Sequence, residues 1–403
     1  MYIDNIRVLV KYKINILLSL IFLFITLGLS SKSIPNILVV QKVTLLGGSL
    51  FLIAILGLDR KFFSNFFLFT VVSFLCFLLA DQHYLHLSFI TFIKAYMGMV
   101  AFYTVLMIDF GKYIRSVSTS LVILPFLMVP MSLLMSKVMG FSPFSDEGTR
   151  FGAGIASAHF AFLMYYVIVL LVYHSIKENR FNIYLYGACL LMMLISGSRG
   201  PLLAALFPSL LLLRFLKLPS IKQKILLLSP ILAFIIYKFI IFLIARTELE
   251  TFDSGGGVNL SGREYAWEYF LSKVNGINLF GGGLGSITSI TKGVLEYNLY
   301  VFVVPHNEFI RFYMELGLIG CTIFFINIAM IFKVVYKSVE RRLRSFILLT
   351  FLGILLLTVF DNTFSTLQSF IPMAIIIKYI LTNERLDRKY EKCSNNISVH
   401  SNL

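Results

Sequence analysis

Long apolar runs, broken by short clusters of basic residues and by turns holding glycine or proline, set the pattern of this chain. A helix that crosses a bilayer needs about 17–25 mostly apolar residues. On that rule residues 14–31, 37–58, 62–80, 88–109, 117–139, 158–175, 182–197, 201–216, 225–244, 314–333, 346–361 and 365–381 are predicted spans, about twelve in all. The runs at 182–197 and 201–216 are short and separated only by Ser198 to Gly200. The expected fold class is an all-α polytopic membrane protein. Its expected organisation is transmembrane helices within 1–244, a large external loop at 245–313, further spans within 314–381 and a basic cytoplasmic tail at 382–403.

Composition agrees with the pattern. Of 403 residues, 58% are hydrophobic and 14% charged, with a mean hydropathy of +0.86, whereas soluble domains run at about 45–50% apolar and about 25% charged. A soluble enzyme, a secreted disulfide scaffold and a disordered chain are excluded. The net charge of +15 does not point to nucleic acid, because the basic residues punctuate hydrophobic segments instead of gathering on one polar face. Cys76, Cys189 and Cys321 lie in apolar runs and Cys393 in the tail, with no Cys-x-x-Cys spacing, so neither a disulfide framework nor a zinc site is indicated. Arg7, Lys11 and Lys13 precede the run at 14–31. That run is long for a signal-peptide core and lacks a small-x-small cleavage site, and is read as a retained first span.

Basic residues orient the spans. With the N-terminus in the cytoplasm, most of the 35 lysines and arginines fall in inner turns or the tail. The short outer turns receive only Lys32, Arg150 and Arg199, as the positive-inside rule requires. Both termini are then inside. The connection at 245–308 is roughly sixty residues long, and loops of that length are usually functional. Within it Trp267, Phe270, Leu271 and Val274 recur at i, i+3, i+4 and i+7, a spacing that predicts a short amphipathic helix able to lie on the membrane surface.

Outer-side arginines oppose the topological trend and call for another reason. Arg150, Arg199, Arg246, Arg263 and Arg311 all fall where membrane and outer space meet. The guanidinium fork stays charged and suits phosphate, so the group suggests an anionic headgroup such as a lipid diphosphate; each alone reads equally well as an interfacial anchor. Arg199, in ISGSRGPLL, and Arg263, in LSGREYAWEYF, open predicted helices, where free backbone N–H groups add donors for an anion. In VVPHNEFIRFYMELGLIG, residues 303–320, Asn307, Arg311 and Glu315 recur four apart on one helix face, so that Arg311 and Glu315 can pair. His306 precedes them and carries the side chain best suited to general acid–base work near neutrality; the plainer alternative is an interfacial imidazole bonded to the loop.

Other candidates are weaker. His83 and His86 sit in an outer turn without a third ligand. Lys42, Lys94 and Lys238 fall within spans, where ionisable groups invite a functional reading, Lys94 being the deepest. Asp109, Asp146 and Asp361 are available acids with no paired spacing. The segment FGGGLG at 280–285 lacks the Lys-Ser/Thr of a P-loop and is read as a hinge permitting close backbone approach. No metal site is predicted.

Taken in order, Arg150 in RFGAG, SGSRGPLLA, SGREYAWEYF, FGGGLG and PHNEFIRFYMELGLIG resemble the motifs of the O-antigen ligase and polymerase family, which includes Wzy-type polymerases and WaaL-type ligases. The resemblance covers mainly residues 150–320. It implies metal-independent glycosyl transfer, without cofactors, on the outer face of a bacterial inner membrane from a glycan linked to undecaprenyl diphosphate. It implies that Arg199 and Arg263 hold the donor diphosphate, with Arg150 a further basic position. It further implies that His306 assists the acceptor hydroxyl and that Glu315 is a supporting acid. Arg311 and Asn307 are included with the diphosphate and supporting groups on their spacing. A polymerase joining repeat units is favoured over a ligase passing polymer to a lipid A core; a chain-length regulator is a conceivable partner. The rival from another class, a lipid-linked oligosaccharide flippase, would be built from two similar halves, and this chain shows no such symmetry.

Overall fold

A computed structural model of the chain describes residues 2–29, 37–80, 87–139, 142–144, 150–179, 181–215, 263–274, 276–288 and 304–400. The predicted span 225–244, together with His83, His86, Asp146, Lys238 and Arg246, lies outside the described residues, as does much of the external loop. Every other predicted span coincides with a helix. These are α1 (Tyr2–Leu27), α2 (Ile37–Leu56), α3 (Phe63–Leu78), α4 (Phe89–Met107), α5 (Ile114–Met139), α6 (Ser157–Glu178), α7 (Ile183–Ile195) and α8 (Arg199–Phe215). After the short helix α9 (Arg263–Leu271), in the stretch predicted as an external loop, come α10 (Glu308–Ser338), α11 (Arg341–Phe360) and α12 (Leu367–His400). Among the described residues there is no strand. Ile37–Leu56, Arg60–Leu78, Phe89–Met107, Gly111–Val138, Ser157–Glu178, Glu308–Ser338 and Arg341–Phe360 are long and apolar enough to cross a membrane. The chain is a multi-pass membrane protein.

Two boundaries differ from expectation. α10 starts at Glu308, ahead of the expected 314, because the Asn307 side chain accepts the Ile310 N–H at 3.1 Å and caps the helix. The polar motif, read as one helix face, therefore forms the first turns of the same long helix that continues as the predicted span. α12 runs to His400, so the stretch expected as a tail continues a helix.

α6 is the centre of the bundle. Its side chains from Phe160 to Leu170 are almost wholly buried and it packs against α5, α7, α8, α11 and α12. The peripheral α2 instead exposes Leu38, Val43, Phe51 and Ile55. Such a surface is costly in water but neutral against lipid, where helices associate through close packing and polar contacts. One such contact joins Asn65 of α3 to Asn327 of α10 at 2.5 Å, with Asn327 also donating to the Asn65 carbonyl at 2.7 Å. Gln368 of α12 donates to the Leu27 carbonyl of α1 at 2.9 Å.

The far end of α12 is held by charge. Lys378 meets Asp59 at 2.7 Å, Glu384 meets Lys177 at 2.6 Å and Arg385 meets Asp109 at 3.0 Å. Burial pushes the Asp59 carboxyl up, but Lys378 and the Lys61 N–H outweigh it and hold it below its ordinary value. Lys378 is 2% exposed, so removing its partner leaves a buried cation alone, a change that costs about 3–5 kcal/mol in comparable cases. Asp59→Asn is expected to lower the melting temperature in detergent, and Asp59→Asn/Lys378→Met to restore most of it. Because the folded carboxyl is depressed, its contribution is complete above about pH 4 and fades as pH falls through the lower folded value. The wild type should accordingly lose stability on acidification more steeply than the double variant.

Candidate functional site

Gly317 breaks α10. Its φ of 68° and ψ of −177° interrupt the ladder, freeing the amides of Leu318 and Ile319 and the carbonyls of Tyr313 and Met314. The glycine-rich loop takes all four. Leu318 and Ile319 donate to the carbonyls of Asn278 and Leu279 at 2.8 and 3.2 Å, and Gly282 donates to Met314 at 2.9 Å. The Asn278 side chain donates to the Tyr313 carbonyl at 2.9 Å and accepts from Gly281 at 2.8 Å. The close backbone approach expected of FGGGLG is thus present: a Cβ on Gly281, whose φ is +74°, would lie 2.5 Å from the Glu315 carbonyl group and the Gly317 nitrogen.

His306 sits just before this helix in the left-handed region, at φ +48°, a conformation uncommon for a residue with a Cβ and one that concentrates at functional sites. Two contacts hold its neighbours: Trp267 of α9 donates to the Pro305 carbonyl at 2.8 Å, and Asn307 caps α10. The His306 side chain is 41% exposed, while its Nδ1 is buried, makes no hydrogen bond and lies 3.6 Å from Asp361 Oδ1. Asp361 caps α11; its Oδ1 accepts the Asn362 N–H at 2.8 Å. Burial pushes the Asp361 carboxyl up, but the His306 ring, the Asn362 N–H and His159 more than offset it, so that it is held below its ordinary value and stays ionised. His159, in the first turn of α6, is within electrostatic reach of both Asp361 and His306.

The turns that carry two of the arginines meet near the end of α11. Arg150 lies over Gly197, where an added Cβ would be 3.3 Å from its Cγ, and Phe151 donates to the Ile195 carbonyl at 3.3 Å. The turn at 150–152 is thereby joined to the SGSRG turn that opens α8 at Arg199. Gly200 touches the end of α11, its Cβ position 3.7 Å from Phe360 Cβ, next to Asp361. Arg150 and Arg199 are both exposed, and neither has an ion-pair partner among the described residues. Arg263 opens α9, the helix that Trp267 ties to Pro305. The α9 face departs from the surface-helix expectation: Phe270 is buried against Ile287 and Met314, while Leu271 stays exposed.

Arg311 is differently placed. Its Nη1 is 3.3 Å from Glu308 Oε1 and its Nη2 3.3 Å from Glu315 Oε2, so the expected pairing with Glu315 is present and a second carboxylate joins it. Among the lysines, Lys94 is exposed, whereas Lys42 donates to the Lys94 carbonyl at 3.1 Å and lies within electrostatic reach of Glu315 and Arg311. Among the described residues no three His, Cys, Asp or Glu side chains gather as a metal ion would require. Sequence reasoning named Asp361 without a partner and missed His159 and Glu308. The available signals were their places, two at helix starts and one at a helix end, with Glu308 inside the 303–320 segment and His159 a few residues after RFGAG.

Chemically, the arrangement offers an imidazole backed by an ionised carboxylate at the end of α11, which the turns bearing Arg150 and Arg199 adjoin; neither arginine has an ion-pair partner among the described residues. Its shape depends on the glycine loop. Gly281→Ala is expected to destabilise by more than about 2 kcal/mol, through both positive φ and overlap with backbone. Gly276→Ala, with φ +77° and open space around it, should show only the backbone cost of about 1 kcal/mol. Equal melting temperatures for the two variants would remove the close-packing account.

A family model described as Wzy_C, O-antigen ligase, matches residues 184–325. The match takes in Arg199, Arg263, the glycine-rich loop, His306, Arg311 and Glu315, and leaves Arg150, His159 and Asp361 outside it. It supports the O-antigen ligase/polymerase family, whose members are glycosyltransferase-like membrane enzymes, and gives no support to a flippase. No curated protein sequence matches the chain.

Proposed function

From the O-antigen ligase signature at residues 184–325, we propose that this protein is an inner-membrane polysaccharide polymerase. It joins oligosaccharide repeat units carried on undecaprenyl diphosphate at the outer face of the membrane. The observation that carries the reading is the approach of His306 to Asp361 at 3.6 Å, beside the turns that present Arg150 and Arg199. His306 accepts the proton of the acceptor hydroxyl as its oxygen forms a bond to the anomeric carbon of the donor sugar. The bond from that carbon to the diphosphate oxygen breaks, and undecaprenyl diphosphate leaves with the electron pair. Arg199, Arg263 and Arg150 bind that diphosphate and offset the charge it gains, the kind of fixed electrostatic stabilisation that supplies much of enzymatic rate acceleration. Asp361 holds the imidazole ring in place and stabilises its protonated form. Asn307 supports the turn as the helix cap.

The same chemistry with a lipid A-core sugar as acceptor makes the protein a ligase, a reading favoured by the description of the matching family. Surface polysaccharide from cells lacking the protein separates the two on a gel. A core bearing a single repeat unit, with the ladder lost, is expected for the polymerase; a bare core with long glycan left on the lipid carrier identifies the ligase.

Site variants test the mechanism. His306→Ala should abolish product while the protein remains inserted, and normal polysaccharide from a stably inserted variant would end the assignment. Arg199→Lys should be poorly tolerated, because an ammonium cannot reproduce a bidentate fork. Asp361→Asn should lower turnover by at least about tenfold, equivalent to about 1.4 kcal/mol of lost transition-state stabilisation.

A further inference from the structure

We infer that Arg311 is a positioning residue and not a ligand of the substrate diphosphate: its guanidinium is consumed inside the protein by Glu308 and Glu315, and the three side chains fix the His306 turn to the glycine-rich loop. The inference refines the proposed function by removing one arginine from the diphosphate site.

The geometry separates this arginine from the others. Both forks of Arg311 face carboxylates 3.3 Å away, on residues one helical turn to either side. Those carboxylates are 0% and 1% exposed, and Arg311 itself is 14% exposed. A phosphate drawn to this guanidinium would have to displace a carboxylate and leave it uncompensated in the interior, which costs several kcal/mol. Arg150 and Arg199, exposed and without carboxylate partners among the described residues, carry no such obstacle.

The cluster also lies where a positioning group is needed. Glu308 directly follows His306 and the Asn307 cap, and the Arg311 amide donates to the Asn307 carbonyl at 3.0 Å. Glu315 sits at the break in α10, where the Gly281 backbone packs on its carbonyl and the Gly285 N–H faces its carboxylate. Lys42 of α2 lies within electrostatic reach of Glu315. Two acidic and two basic side chains therefore share this cluster, and the contacts of Arg311 link the proton-accepting turn to the break that the glycine-rich loop completes.

Charge balance supplies the test. Arg311→Gln leaves two buried carboxylates with one distant cation. Glu308→Gln/Arg311→Gln removes one charge of each sign and leaves Glu315 facing Lys42. Both variants, with Arg199→Ala alongside, are purified into nanodiscs; binding of undecaprenyl diphosphate and turnover of lipid-linked repeat units are measured. For Arg311→Gln the expected result is a loss of turnover of about tenfold or more, with diphosphate binding within about twofold of wild type. The double variant should recover most of that turnover, since coupled partners are non-additive. If Arg311→Gln does not fold, the double variant decides alone: wild-type diphosphate binding supports the inference. Diphosphate binding lost in either Arg311 variant, with no recovery of turnover in the double variant, overturns it. The Arg199→Ala arm addresses the proposed function separately: unchanged binding there would sink the diphosphate site, while the Arg311 arms still decide the positioning role.

Discussion

The break at Gly317 is the constraint on which the half of this protein around the glycine-rich loop depends. Within a membrane, unsatisfied backbone amides and carbonyls cost several kcal/mol each, so a spanning helix is interrupted only where other protein groups replace its ladder. Here the loop at 278–282 supplies every replacement, through two carbonyls, one amide and the Asn278 carboxamide. The exchange requires backbone to meet backbone, which only glycine permits at 281 and 317. Once the loop is docked, Glu315, Gly285 and the first turns of α10 have fixed places relative to one another. The Cys76 thiol of α3 adds a further contact to the Leu316 carbonyl at 3.2 Å. The break is thus tied to the bundle as well as to the loop.

From that joint the site assembles out of segments far apart in the chain. Residues near 150, 199, 267, 306 and 361 come from four different helix starts and ends together with one turn. Each is brought in by a specific contact: Arg150 by the missing side chain of Gly197, α8 by Gly200 against Phe360, and α9 by the bond from Trp267 to Pro305. The strained backbone of His306 is held between two anchored neighbours, which is the condition under which such strain persists. Placing the groups at helix ends has a further consequence. Free N–H groups at the start of α8 and the ordered carboxylate at the end of α11 meet on one side of the bundle, so the site offers fixed dipoles as well as charges.

Much of this was legible in the sequence. The apolar runs located every described span, because a 20-residue hydrophobic segment has few alternatives to a membrane helix. The run HNEFIRFYMELG gave the Arg311–Glu315 contact, because spacing on a helix determines which side chains meet. Three features were not legible. The start of α10 depended on a cap whose strength hydropathy does not register, and the charged end of α12 looked like a tail because its partners, Asp59, Asp109 and Lys177, are scattered through the chain. The pairing of His306 with Asp361 is a contact across an intervening helix pair, and no local periodicity reports it. Arg311 is the most instructive case. Its predicted outer-side position grouped it with the diphosphate arginines even though Glu315 was read as a partner, and Glu308, three residues away on the same helix, passed unnoticed.

That last point bears on how outer-side arginines in membrane proteins should be read. Opposition to the positive-inside trend shows that an arginine has a reason to be where it is, but not whether the reason is a ligand or a neighbour. Counting carboxylates at i±3 and i±4 along the chain separates the two by spacing alone. An arginine flanked by acids on its own helix face is already compensated, and burial strengthens that pairing as the local dielectric falls. An arginine at a helix start with no acid within a turn, such as Arg199 in SGSRGPLL, has only solvent or an anionic substrate to answer its charge. By this criterion the proposed anion site falls at the junction of the 150 and 199 turns, beside the end of α11. The inferred role of the buried cluster around Arg311 is then to brace the turn that carries His306.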